Sequence, residues 1–109
     1  MGYPGEFELM VLLAVLRLGE EAYGVTVREE LERETSRTIA FGTVYKTLGR
    51  LEGKGLLQAR VGAPTSERGG RRKRLYKITP AGLAIARRSV ADLQRLTEGL
   101  ETVLEGEAS

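Results

Sequence analysis

The chain has 109 residues, with 17 Lys plus Arg against 15 Asp plus Glu, a net charge of +2, and no His, Cys or Trp. This composition excludes a Ser-His-Asp triad, a Cys-His pair, a zinc site of the usual ligand type and a disulfide framework, so an ordinary reducing compartment is the default and only carboxylate, Lys or Tyr chemistry survives. At 41% hydrophobic and 29% charged it reads as a small folded protein. Chains of this size bury only about two-thirds of their unfolded surface, so oligomerisation is expected.

The longest apolar run, Leu9 to Leu16, is too short for a bilayer span, which takes about 20 residues, and Arg17 stops it. Glu6 and Glu8 precede it and Gly19, Glu20 and Glu21 follow, the reverse of a secretory signal. The expectation is a cytoplasmic protein with no membrane partner. From Glu6 to Leu18 the residues are apolar around nearly the whole helical circumference, so this first helix needs cover on more than one side. A partner chain supplies that cover most economically; a simple central core helix accounts for the same pattern.

Gly19 closes the first helix. A second begins near Tyr23 or Gly24, with Val27 and Leu31 on one buried face and Arg28, Glu29, Glu30, Glu32, Arg33 and Glu34 toward water, and ends near Thr35. A third runs from about Gly42 to Lys54, where Val44, Leu48 and Leu51 make the core stripe, and Gly55 stops it. Leu56 to Val61 and Leu75 to Thr79 read as two strands around a loop carrying Gly62, Pro64, Ser66, Gly69 and Gly70. Thr79 then caps a last helix with Pro80 at its first position, predicted to run to about Leu104.

Three helices, a β-hairpin and a long helix make a mainly α fold with a small hairpin. This is the winged helix-turn-helix, in which the third helix enters the major groove and the hairpin flanks it. The predicted division is residues 1–79 for DNA binding and 80–109 for dimerisation.

Charge is the strongest local signal. Arg60 to Lys77 holds seven cations, among them Arg71, Arg72, Lys73 and Arg74, against Glu67 alone, whereas every charged residue from Glu98 onward is Glu. Beside Gly69 and Gly70, these cations suit a phosphate chain or a narrow minor groove. Taken alone, such a run is a solvated basic loop; its place in a hairpin after a third helix points to nucleic acid.

On the third helix Thr43, Lys46, Thr47, Arg50 and Lys54 form a stripe of donors turned away from the core residues, with Tyr45 on its flank. Arg can bind a guanine edge through two donors, Lys and Tyr can bind phosphate, and Thr either. An ordinary polar helix face gives the same pattern. Gly49 and Gly53 lie inside this helix at a cost of up to about 1 kcal/mol each; close approach to a DNA backbone is one explanation and neutral drift is the other. Gly49 to Gly55 lacks the spacing and the hydroxyl residue of a P-loop.

In the last helix Leu83, Ala86, Val90, Leu93, Thr97, Leu100 and Leu104 alternate three and four residues apart, the repeat of a coiled-coil seam, and Leu96 and Val103 broaden it. The seam is expected to dock on a second copy and on the apolar first helix; folding back within one chain is the alternative.

Three stretches together carry a resemblance: A-Y-G-V at Ala22 to Val25, G-T-V-Y-K-T-L-G-R-L-E-G-K-G-L at Gly42 to Leu56, and E-R-G-G-R-R-K-R-L-Y-K-I-T-P-A-G at Glu67 to Gly82. They resemble the PadR family of bacterial transcriptional regulators over about residues 6 to 90, in the subgroup with a short C-terminal region. The resemblance implies a dimeric repressor acting on a palindromic operator and released by a small-molecule effector, with an effector pocket between the first and last helices. It implies that Tyr45 contacts phosphate and that Gly69, Gly70, Arg71 and Arg72 form the wing tip, while Tyr76 and Gly82 are structural. Lys46 stands where many members have proline and Leu75 where a second aromatic is common, so base preference does not transfer.

The expectation is therefore a homodimeric regulator of double-stranded DNA, with no enzymatic activity, no metal and no cofactor. Thr43, Lys46, Thr47 and Arg50 probe the major groove, and Tyr45, Gly69, Gly70, Arg71, Arg72, Lys73 and Arg74 hold phosphates. The rival reading is a winged module that presents its basic face to an acidic protein.

Overall fold

The computed structural model describes residues 2–64 and 72–106. Helix α1 (Glu6–Leu18) buries Val11, Leu12, Ala14 and Val15, while Met10 and Leu13 are half-buried and Leu16 is exposed. Its apolar circumference is thus covered on one side and open on another. Gly19 terminates it in the left-handed region at φ +58°, donating its N–H to the carbonyl of Val15, and a 3-10 turn (Gly19–Glu21) follows.

Helix α2 (Gly24–Glu34) starts from Tyr23, whose N–H donates to Thr26 Oγ1 at 3.0 Å, and buries Val27 and Leu31. Glu30, expected to face water, is instead 5% exposed. One turn on from Val27, it lies against α1 and accepts from Arg17 of α1 and from Arg33. Helix α3 (Phe41–Gly53) sets Val44, Leu48 and Leu51 wholly inside. Leu12, Leu48, Leu51, Leu56 and Leu57 are the largest fully buried side chains, each worth about 1.5–3 kcal/mol of burial.

Strands β1 (Leu57–Pro64) and β2 (Arg72–Ile78) pair antiparallel from Leu57 opposite Ile78 to Val61 opposite Arg74, with a register shift before Pro64 meets Arg72. Both extend further toward the basic tip than their apolar pattern indicates. The hairpin is fastened to the helices by Tyr76, whose N–H donates to the carbonyl of Ala22 at 2.8 Å.

Helix α4 (Pro80–Thr97) is capped by Thr79, whose hydroxyl accepts from the Gly82 N–H at 3.0 Å and donates to the carbonyl of Gly55 at 2.7 Å. The Thr79 N–H reaches the carbonyl of Leu56 at 3.1 Å, so the end of α3, the start of β1 and the start of α4 share one joint. Ile85 and Ala86 bury against the core.

The expected single helix to Leu104 does not form. It stops at Thr97, Gly99 takes φ +84°, and a separate turn, α5 (Glu101–Leu104), follows. Glycine supplies the left-handed conformation that breaks the helix there. No described helix is long and apolar enough to cross a membrane.

Candidate nucleic-acid interface

The surface of α3 opposite Val44, Leu48 and Leu51 presents Gly42, Thr43, Tyr45, Lys46, Gly49, Arg50 and Gly53, all exposed. Thr47 does not join them. It is 2% exposed and its hydroxyl donates to the carbonyl of Thr43 at 2.8 Å. At about 100° per residue Thr47 lies on the flank of the core stripe, so its place in the donor stripe is corrected: it packs rather than probes.

Tyr45 is 50% exposed and its ring stacks on Phe41 with centroids 6.3 Å apart. The Arg28 guanidinium lies 4.2 Å from the Phe41 ring centroid, and its Nε donates to the carbonyl of Ile39. The Tyr45 ring also lies against Gly24, where an added Cβ would be 2.4 Å from Tyr45 Cε1. The glycine of the A-Y-G-V stretch therefore makes room for the tyrosine of the third helix. By contrast, a methyl group at Gly42, Gly49 or Gly53 would meet nothing within 4 Å. These three glycines leave gaps around the exposed Lys46 on the outward face, and no packing among the described residues requires them.

The cations divide into those engaged within the chain and those turned outward. Lys54, at the end of the stripe, places Nζ 3.0 Å from both oxygens of Glu8, and Arg50 Nη1 lies 3.5 Å from Glu8 Oε2. Burial pushes the Glu8 carboxyl up, but the Lys54 ammonium, the Gly5 N–H and Arg50 outweigh it and hold Glu8 below the usual carboxylate range. Arg74 of β2 donates through Nη2 to both oxygens of Glu52 on α3 at 2.9 Å and through Nε to the Tyr76 hydroxyl at 3.2 Å. The Glu52 carboxylate raises the Arg74 pKa above its ordinary value. Arg74 thus clamps the wing to α3.

On the same strand Lys73 lies 4.5 Å from the Tyr23 ring centroid, and Arg72 is exposed. Gly69, Gly70 and Arg71 lie outside the described residues. Composition alone did not single out Glu8, Glu52 or Gly24 for this surface. For Glu8 the available signal was its spacing of three from Gly5, which makes the first-turn cap: Gly5 N–H donates to Glu8 Oε1 at 3.3 Å.

Of the expected seam, Ala86 is 2% exposed and Leu83 and Val90 are half-buried. Leu93, Leu96 and Leu100 are 52%, 72% and 45% exposed, and Leu104 is exposed too. Leu83, Ala86 and Val90 face Leu13 and Leu16 of α1 across an open apolar groove of about 280 Å³. A second cavity of about 450 Å³ lies between the N-terminal segment and α4, lined by Tyr3, Pro4, Leu9, Ser89, Asp92 and Leu93. The Ser89 hydroxyl is buried there with no hydrogen-bond partner among the described residues.

Three helices, an antiparallel hairpin fastened to them and a cation-bearing outer face on the third helix define a winged helix-turn-helix protein. The chain belongs to the transcriptional regulator PadR-like family, whose sequence profile matches residues 12–88. It is 38% identical over 78 residues to the transcriptional regulator Rv3488 of Mycobacterium tuberculosis, covering 69% of this chain and 68% of that protein.

Among solved structures, it is similar to a PadR family transcriptional regulator from Eggerthella lenta, with a TM-score of 0.66 and 28% identity over 92% of this chain and 87% of that one. It also shares its fold with Bacillus subtilis PadR, solved in complex with operator DNA, with a TM-score of 0.63 and 20% identity over 77% of this chain. This chain spans 47% of that longer protein. The family is one of transcriptional regulators rather than enzymes.

Proposed function

We propose that the protein is a homodimeric repressor that binds a palindromic duplex and is released by a small molecule. The observation that carries this reading is the outer face of α3, where Thr43, Tyr45, Lys46 and Arg50 stand exposed around three glycines that block nothing. Lys46 lies on the same line of the helix as these glycines, so α3 can lie deep in a major groove with Lys46 directed at its floor while Thr43, Tyr45 and Arg50 on either side reach base edges and phosphates. Thr43, Lys46 and Arg50 face the bases, and Tyr45, Arg72 and Lys73 face the phosphates together with residues 69–71. Arg74 acts from behind, by clamping the wing through Glu52.

Residues 80–109 supply the dimer contact. The exposed Leu93, Leu96, Leu100 and Leu104 and the groove between α1 and α4 support this, because a lone chain leaves that apolar surface in water. Leu100, which precedes α5, and Leu104 within it lie beyond the break after Thr97 rather than on a continuous seam. The cavity beside Ser89 is the proposed effector site, suited to a small, mainly apolar molecule with one polar group for the serine hydroxyl.

Enrichment of sequences from a random duplex pool tests the function. The expected product is a palindrome whose half-sites lie about one helical turn apart, bound by two chains. Failure to enrich any sequence, together with salt-sensitive binding to an acidic protein, would replace this reading with the interaction module.

A further inference from the structure

Glu8 lies in the first turn of α1, where a carboxylate ordinarily faces solvent, yet it is 7% exposed. Its oxygens accept from the Gly5 N–H at 3.3 Å and from Lys54 Nζ at 3.0 Å, so helix α1 and the end of α3 fix it from two directions. Arg50 approaches the same carboxylate from the outer face of α3, with Nη1 3.5 Å from Oε2. The Arg50 side chain remains 52% exposed, so contact through one terminal nitrogen leaves the rest of its five-donor fork available.

A free arginine on a helix surface loses much rotamer freedom when it docks on a base edge. A buried carboxylate behind it removes part of that freedom in advance. Lys54 completes the arrangement, since a fixed anion near a phosphate-binding surface would otherwise repel the ligand. The chain thus spends one lysine on neutralising Glu8 and leaves the arginine oriented.

We propose that Glu8 is the positioning residue for Arg50: from the protein side it holds one edge of the guanidinium so that the other is presented to a base edge in the major groove. The proposal rests on the DNA-binding reading above and adds a determinant of specificity that lies outside the winged motif, on the helix that also lines the α1–α4 groove.

The test uses the full chain, its enriched duplex and a scrambled duplex of the same composition. The readout is the ratio of the two affinities. Glu8→Gln keeps the side chain's size and an acceptor for Gly5 but removes the charge, and is expected to lower the ratio about tenfold. Arg50→Ala is expected to lower it at least as much, and adding Glu8→Gln to Arg50→Ala should lower it no further, because Glu8 acts through Arg50.

Should Glu8→Gln fold poorly, Arg50→Lys provides the second arm: it keeps the charge but loses the fork and should reproduce the tenfold loss. An undiminished ratio in Glu8→Gln or in Arg50→Lys, or losses that add in the double variant, would overturn the assignment. A merely structural Glu8 would lower the melting temperature and leave the ratio unchanged. If the wild-type chain enriches no sequence, the DNA-binding reading itself fails, an outcome distinct from enrichment with a ratio that Glu8 does not affect.

Discussion

A methyl group on Gly24 would lie 2.4 Å from Cε1, 2.5 Å from Cζ and 2.6 Å from the hydroxyl oxygen of Tyr45, so the first residue of α2 sets where the tyrosine of α3 points. The ring is half exposed and its contact with Gly24 is through its outer atoms, so Gly24→Ala should cost about 1 kcal/mol or less in stability. Its effect on DNA should be larger. A hydroxyl bonded to a phosphate is worth about 1.5 kcal/mol, so Tyr45→Phe should weaken duplex binding roughly tenfold. Gly24→Ala should match it, and the double variant should bind no worse than either; fluorescence anisotropy and thermal melting measure the two effects.

The glycines of α3 and α4 should respond in opposite directions. At Gly82 a Cβ would lie 2.2 Å from the carbonyl oxygen of Leu56 and 2.8 Å from Ile78 Cγ1, and backbone cannot yield as a side chain can. Gly82→Ala should destabilise by about 3 kcal/mol in urea unfolding. Gly49→Ala and Gly53→Ala meet open space and should each stabilise by up to about 1 kcal/mol, while weakening duplex binding if α3 lies close in the groove. Equal or better binding by both stabilised variants would exclude that close approach.

A charge at the centre of the proposed dimer surface should separate the copies. Leu93 is 52% exposed in one chain, so Leu93→Asp should leave that chain folded and turn the dimer into a monomer. Sedimentation velocity reads this directly. An intact dimer of Leu93→Asp would remove α4 from the contact.

Acid should loosen the fold through two carboxylates. Burial raises the Glu8 pKa but is outweighed by Lys54, the Gly5 N–H and Arg50, and Arg17 lowers that of Glu30, so both are held below the ordinary value of 4.5. On acidification the unfolded carboxylates take up protons first. The stability these groups contribute is therefore full above about pH 5.5 and lost as pH falls through their folded values. The melting temperature should be level from about pH 6 to 7 with respect to these groups and fall below about pH 5, with a shallower acid limb in Glu8→Gln. A melting temperature unchanged down to about pH 3.5 would contradict both assignments.

The order of elements was legible because Val44, Leu48 and Leu51, the Thr79-Pro80 cap and the basic hairpin each carry a local signal. What escaped was what depends on a neighbour in space. Thr47 looked like part of the donor stripe because spacing alone does not say how wide the buried face is, and Glu30 looked solvent-facing because Arg17 is on another helix. The break after Thr97 escaped because Leu96, Leu100 and Leu104 keep the repeat across Gly99, whose φ of +84° leaves no trace in hydrophobic spacing. The carboxylates behind Arg50 and Arg74 were hidden for the same reason as Glu30's partner: Glu8 and Arg50 are 42 residues apart in sequence.

The central claim, that α3 and the wing grip a particular duplex, is tested most directly by titrating salt against affinity for the enriched and scrambled duplexes, using the wild type and Arg72→Ala. The expected result is tighter binding to the enriched duplex, log K falling linearly with log salt, and a slope shallower by about 1 in Arg72→Ala. Equal, weak binding to both duplexes with the same slope in both proteins would contradict it.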